Sequence, residues 1–492
     1  MAAPQSSGSI PPSIADAYDP ERFRRDGHAL IDALADQLAA ATGRDEAPVL
    51  ALGDPTAARA AWAFDPAASP VALVDTLTAA AAGAIRLHHP RYLGHQVPPP
   101  IPGAALGDLV SALCNNGMSV YEMGPTAMPI EFAVIDWMAQ AVGLPSTATG
   151  VLTSGGSVGN LTALLAARQA RAGWDVWGAG DPGGPPLAVL CSSQVHYSIA
   201  RALRIMGWGA DGAIAVPVDD RFRLDPAALP AALERARALG RRVIAVVASA
   251  GATATGAFDP LLAIGDFCAA HGLWLHVDGA HGAALAISKH RALVDGLARA
   301  DSIVWDAHKM LAMPALCTAV LFREPGRAYE AFAQEASYLF EGARPDAEWW
   351  NLGLRTLECT KRMMALKLYA CLRAYGPGLF TDYVERTVAL GAALAARLAA
   401  TDDFELATPP DANIVCYRWR PRGAPAPGPA LDAFTAQLRR RAVADGRFYI
   451  LQTRLGAGLW LRSALMNPLT EDRDLDELLD HVRALGADLV TE

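Results

Sequence analysis

The sequence predicts an α/β fold, a mostly parallel central sheet with a helical segment before it and a smaller α+β domain after it. Three observations predict this. From about residue 103 to about residue 380, short β-branched apolar runs alternate with helix-like stretches, the pattern of strand–helix–strand units. The clearest runs end in small or polar residues, where a parallel sheet usually binds its ligands. At 492 residues the chain also exceeds one domain and can bury a large core.

The elements run in order along the chain. After a polar stretch to about residue 18, "DPERFRRDGHALIDALADQLAAA" spaces Phe23, Leu30, Ile31, Leu34 and Leu38 as one face of an amphipathic helix. Proline-rich "HQVPPPIPG" marks a boundary, so residues 1–105 form a helical segment expected to pack on a partner subunit, and 106–378 the large domain. Within it, "LAVLCSS", "RVIAVVASA", "LWLHVDGA" and "DSIVWDA" read as strands, and "HRALVDGLARA" as a helix between the last two. A longer helical stretch, about 353–375, leads to the C-terminal region 379–492. Here "ANIVCYRW" and "GLWLRSAL" read as strands, 420–430 as a loop and "DRDLDELLDHVRALG" as a helix.

Composition excludes several functions. The net charge of −9 is spread without a basic stripe or polybasic patch, which argues against nucleic acid and membrane surfaces as partners. The N-terminus has no basic start or apolar run, and no 18-residue apolar stretch occurs. Seven scattered cysteines without a CxxC pair fit reduced core residues and a cytoplasmic protein.

Four strand ends carry chemistry. "TSGGSVGNLTALLAARQA" is a glycine-rich turn entering a helix, and Ser154, Gly155, Gly156 and Ser157 can aim N–H groups and hydroxyls at a phosphate; a plain helix cap is the alternative. "SSQVHYSIARALRIMG" sets His196 beyond a strand at a helix start, a place also taken by capping histidines. "LWLHVDGAHGAAL" buries Asp278 beside Gly279 and Ala280, with room for a flat ligand; a turn cap is the bland reading. Last, "DSIVWDAHKMLAMP" holds Lys309 in an apolar setting, in a chain with only four lysines among 42 basic residues. A desolvated lysine can attack a carbonyl and an arginine cannot; a snorkelling lysine is the ordinary alternative. Together the four groups meet the needs of pyridoxal 5'-phosphate (PLP): a phosphate cradle, a carboxylate for the pyridine nitrogen, a stacking imidazole and a lysine for the Schiff base.

Ten ordered segments, among them "HPRYLGHQ", "NNGMSVYEMGPTAMPIE", "TSGGSVGNLTALLAAR", "HVDGAHGAAL", "WDAHKM" and "LRSALMNPLTEDRDLDELL", resemble the group II PLP-dependent amino-acid decarboxylases over nearly the whole chain. That family includes glutamate, cysteine-sulfinate and aromatic amino-acid decarboxylases. The resemblance implies fold type I, the aspartate-aminotransferase type, and a homodimer with shared active sites. It gives Lys309 the Schiff base, Asp278 the pyridine nitrogen, and His196 and Ala280 the two ring faces. Ser157 and His308 become phosphate ligands, Thr253 a neighbour of the cofactor, Arg462 the anchor of the substrate α-carboxylate, and Asn115 and Tyr121 residues of the substrate entrance. An internal salt bridge is the alternative for Arg462, and turn roles for Asn115 and Tyr121.

The activity so implied is α-decarboxylation of a small-molecule L-amino acid to CO2 and an amine, the substrate being small and acidic or polar, with an aromatic amino acid as the alternative. The alternatives are another outcome at Cα, oxidative deamination or transamination, and a PLP-fold protein without catalysis. Departures from the family pattern concern the final proton. No tyrosine lies in "EGARPDAEWWNLG", where many relatives carry one on a mobile loop. Asp346 and His196 are candidate acids, and Trp349 and Trp350 candidate lid residues. Asp306 and Ala307 replace a common Asn-Pro, and a carboxylate near a phosphate is unexpected on charge grounds.

Overall fold

The structure is a computed structural model and describes residues 10–332, 348–456 and 458–491. Seven strands build the large sheet: β1 (Thr149–Thr153), β2 (Leu187–Ser192), β3 (Ala213–Val216), β4 (Arg242–Ser249), β5 (Trp274–Asp278), β6 (Ser302–Asp306) and β7 (Thr318–Phe322). Their order is β1-β7-β6-β5-β4-β2-β3. The run from β3 to β6 is parallel, and β7 alone is antiparallel to both neighbours. This is the mostly parallel sheet the sequence predicts, with all four quoted strands in it.

Period-two alternation explains why those strands read as unbroken apolar runs. Leu190, Val246, Leu275, Ile303 and Leu321 join one core cluster, while their neighbours Val189, Val247, Trp274, Val304 and Val320 join another on the opposite face. Helices cover both faces, so all ten of these positions are buried.

Two helices position the groups at the strand ends. The helix Gly156–Arg171 crosses one face with its N-terminus at the C-terminal strand ends. At Gly159 a Cβ would lie 3.2–3.3 Å from methyl groups of Thr318, Val304 and Val320, so glycine lets this helix sit close on the sheet. The helix Tyr197–Ile205 starts at His196, its N-cap.

The C-terminal region is a four-stranded antiparallel sheet of β8 (Phe404–Leu406), β9 (Ile414–Trp419), β10 (Leu451–Leu455) and β11 (Gly458–Ala464), in the order β10-β11-β9-β8. Tyr417, Phe448 and Leu461 centre its core, beneath the helices Gly378–Ala399, Pro429–Asp445 and Asp472–Thr491.

Two expectations need correction. "HRALVDGLARA" is not an α-helix but two 3-10 turns, Arg291–Val294 and Leu297–Arg299, parted by Gly296 at φ +110°, a conformation no helix tolerates. The helix expected over 353–375 spans Ala365–Tyr375; before it, Lys361 runs inward to a buried ion pair with Glu131 and a hydrogen bond to the Leu152 carbonyl. The helix Pro20–Thr42 forms as expected, yet its apolar face is open, with Phe23 53%, Ile31 44% and Leu34 39% exposed.

Candidate active site

Parallel pairing sets the ends of β4, β5 and β6 level, Ser249 beside Asp278 and Asp278 beside Val304. The loops beyond them, with the turn after β1, enclose a cavity of about 300 Å³. Lys309, Asp278 and His196 all line it, as do Ser154 to Ser157, Thr253, Ala280 and His308. Eleven of the thirteen residues assigned a cofactor or substrate role from the sequence therefore meet here or in the adjoining opening, which Arg462 lines together with His196 and Thr253.

Lys309 follows β6 by one turn, and its Nζ lies 3.0 Å from Asp306 Oδ2. Asp306 is buried and accepts a 2.5 Å hydrogen bond from Thr318 Oγ1, its register partner on β7. Burial opposes its ionisation, but Lys309 and His308 outweigh that and hold the carboxyl below its ordinary value. So Asp306 is an ionised counter-ion of the lysine, with its oxygens on Thr318 and Lys309. That accounts for a carboxylate so near the cradle. His308 sets Nε2 3.6 Å from the same carboxylate while Nδ1 meets the Cys317 backbone.

The cradle is made by the backbone. Gly155 stands at φ +118°, reserved for glycine, and a Cβ on Gly156 would come within 3.2 Å of the Asp306 carboxylate. The first N–H groups of the following helix thus open onto the cavity without a side chain over them. Ser154 departs from expectation, since its hydroxyl donates to Glu358 Oε1 at 2.6 Å and is already engaged. Ser157 lines the cavity wall.

Asp278 is buried and fully oriented. Oδ1 accepts from the Ala280 N–H at 3.2 Å, and Oδ2 accepts from Asn160 Nδ2 at 2.9 Å. Asn160 and His276, which joins it at 3.0 Å, escaped the sequence reading; an asparagine inside a helix and a histidine inside a strand look ordinary. Polarity at fully buried positions was the available signal, since such groups must find partners. Burial pushes the His276 pKa down to about 4, so the ring is neutral.

Arg462, on β11, is buried. Its Nε donates to the Ala254 carbonyl at 3.2 Å and Nη1 to the Gly94 carbonyl at 3.4 Å, while Nη2 is buried without a partner. Burial lowers its pKa. Among the described residues no carboxylate pairs with it. Nearby Gln96 Nε2 is likewise buried and unpartnered in the same opening.

Two expected site residues stand elsewhere in this chain. Asn115 is the exposed left-handed C-cap of the helix Pro102–Cys114, at φ +47°. Tyr121 begins a 3-10 turn, 44% exposed, with its N–H on Asn351 Oδ1. Neither lines the cavity. Trp349 packs on Phe132 and Trp350, and Asp346 lies outside the described residues.

This donor set fits PLP: an amine for the aldehyde, a carboxylate for the ring nitrogen, an imidazole and a methyl group for the ring faces, and open N–H groups for the phosphate. The comparisons agree. Residues 95–420 match the pyridoxal-dependent decarboxylase conserved domain. Cysteine sulfinic acid decarboxylase of Rattus norvegicus is 32% identical over 418 residues, 82% of this chain and 84% of that one. L-2,4-diaminobutyrate decarboxylase of Rhizobium meliloti is 33% identical over 405 residues, 82% of this chain and 79% of that one. The crystal structure of Oryza sativa TDC with PLP and tryptamine matches at a TM-score of 0.88 and 25% identity, covering 98% of this chain and 100% of that one; fold type I is thereby shown. With the fold, the cavity and the comparisons in accord, the chain belongs to the pyridoxal-dependent decarboxylase family and is a PLP-dependent amino-acid decarboxylase, a carboxy-lyase.

Proposed function

We propose that Lys309 holds the cofactor as an imine, that Asp278 faces the pyridine nitrogen, and that His196 and Ala280 cover the two ring faces. Ser157, His308 and the N-terminus of the helix Gly156–Arg171 take the phosphate, and Thr253 stands at the rim. Arg462 receives the α-carboxylate of a small acidic or polar L-amino acid. The observation that carries this reading is the meeting of Lys309, Asp278, His196 and the glycine turn in one cavity, beside a buried guanidinium with a free donor. A cation so placed offsets its desolvation by binding an anion.

Bound PLP supplies an aldehyde that exchanges amines and a protonated ring that accepts the electron pair left at Cα as CO2 departs. The protein's part is placement and charge. Arg462 would hold the substrate α-carboxylate through its unpartnered Nη2 and so fix one end of the substrate, which selects the bond from Cα to that carboxylate for cleavage. The Asp278 carboxylate favours the protonated ring. Asp306, 3.0 Å from the Lys309 Nζ, would hold that amine whenever it is free of the cofactor. Gln96, with its own unpartnered donor, supports selection for a second acceptor on the substrate.

The open apolar face of the helix Pro20–Thr42, and Leu106, Leu109 and Leu113 exposed on the helix Pro102–Cys114, support a homodimer in which a partner subunit covers them. Asn115 and Tyr121 then line the partner's entrance. Seven free cysteines support a reducing, cytoplasmic setting. Among the described residues no helix is long and apolar enough to cross a membrane.

The test is to incubate PLP-loaded protein with a panel of amino acids and follow CO2, amine, aldehyde and ammonia by mass spectrometry. CO2 and amine in equal yield, lost in Lys309→Ala, are expected. Aldehyde with ammonia and oxygen uptake, or turnover by Lys309→Ala, contradicts the reading.

A further inference from the structure

A buried hydrogen-bond chain links the floor of the sheet to His196, and its directions can all be assigned. A carboxylate only accepts, so the Asn160 amide turns its Nδ2 toward Asp278 Oδ2, 2.9 Å away, and its second N–H toward Ser198 Oγ, also at 2.9 Å. Asn160 Oδ1 then faces His276 Nε2 at 3.0 Å, which places the His276 proton on Nε2. The His276 ring is neutral, leaving Nδ1 bare to accept from Ser302 Oγ at 2.9 Å, while Ser302 Oγ accepts from Trp274 Nε1 at 2.8 Å. On the other arm, Ser198 Oγ receives the Asn160 N–H and has its own proton left for His196 Nδ1, at 2.8 Å. The Ser198 backbone N–H aims at the same nitrogen from 3.3 Å.

We propose that Asn160 and Ser198 are positioning residues that fix His196 as the imidazole protonated on Nε2, and that Asn160 ties this choice to the orientation of Asp278. The inference rests on the proposed roles of Asp278 and His196. A proton on Nδ1 would meet the Ser198 backbone N–H, which cannot turn away, and the Ser198 hydroxyl, then accepting from both Asn160 and His196, would have to turn its own proton out of the chain. The ring offers one hydrogen bond from Nε2 and resists a second proton. Its charged surroundings act the same way on balance. Burial comes first, and Lys309 and Arg201 add to it against Asp278 and Asp306, which leaves the pKa of His196 below the ordinary value. Tyr197, the remaining close ring, packs with its centroid 4.1 Å away.

Histidine ¹⁵N spectra of the cofactor-free protein test this independently of turnover, with the His196 signals assigned by their loss in His196→Gln. At neutral pH the wild type is expected in the Nε2–H form. Ser198→Ala should give a mixture of tautomers and a higher protonation midpoint, and Ser198→Thr should restore both. Asn160→Asp should invert the ring to Nδ1–H, because the new carboxylate draws the Ser198 proton to itself. In PLP-loaded enzyme Ser198→Ala should lower kcat about tenfold, the loss of one buried hydrogen bond, with KM nearly unchanged and the acid limb of the pH profile moved upward. A wild-type ring protonated on Nδ1, or a Ser198→Ala ring identical to wild type in tautomer and midpoint, overturns the proposal. Neither result touches the link between Lys309 and the cofactor, which is probed separately by chemical trapping.

Discussion

Arg462 is 5% exposed, with two of its guanidinium nitrogens on carbonyls and the third on nothing. A buried unpaired cation is costly unless an anion joins it. Arg462→Gln should therefore lower kcat/KM about a hundredfold through KM, equivalent to about 2.7 kcal/mol for a charge-assisted pair, with the visible absorption of bound PLP retained. An unchanged KM would remove Arg462 from the substrate. Residues of this kind were legible where the sequence broke its own habits: Lys309 as a rare lysine, Arg462 as a charge in an apolar run. Asn160, Ser198 and His276 broke none, and their roles come from contacts across 38 to 118 residues, which no local pattern reports. Asn115 and Tyr121 show the converse, being conspicuous in sequence and outside the cavity of this chain.

At the scale of elements, the helix Gly156–Arg171 joins the cradle to the sheet. Gly159→Val places a branched side chain where a Cβ is already 3.2 Å from the methyl groups of Thr318 and Val304. Overpacking of this kind costs about 1–3 kcal/mol, and it lifts the cradle along with the helix. Denaturant midpoints should fall with or without PLP, and cofactor affinity should weaken; a variant as stable and as tightly loaded as wild type would show that the close approach is dispensable. The central strands were legible because burial on both faces writes them as continuous β-branched runs. Short strands such as β3, with four residues, and β8, with three, have too little sequence to show a period. Helical periodicity misled at "HRALVDGLARA", where Gly296 at φ +110° parts the two turns and keeps them from joining into one helix.

For the whole molecule, the same burial that builds the site makes stability depend on pH. His276 and His281 are driven to about 4 and about 3 by burial, whereas an unfolded histidine titrates near 6.5. Below that value the unfolded chain binds protons that the native chain refuses, so stability rises with pH and falls on acidification. Urea midpoints of cofactor-free protein should drop between pH 7 and 5, with a limiting slope of about 1.4 kcal/mol per pH unit for each such histidine. His276→Asn, if it folds, should flatten part of that slope, and a pH-independent midpoint would contradict the assignment of neutral buried rings. Fold class and cofactor were readable from sequence because they rest on strand ends in series. The open apolar face of the helix Pro20–Thr42 is one that the partner packing expected of residues 1–105 would cover, whereas that of Pro102–Cys114 was not read, since a helical pattern names a buried face without naming what buries it.

The central claim is that one lysine, Lys309, carries the cofactor, and borohydride reduction of PLP-loaded protein followed by peptide mapping tests it most directly. The account predicts a single phosphopyridoxyl label on the peptide containing Lys309. A label on Lys289, Lys361 or Lys367, or no label at all, would contradict it.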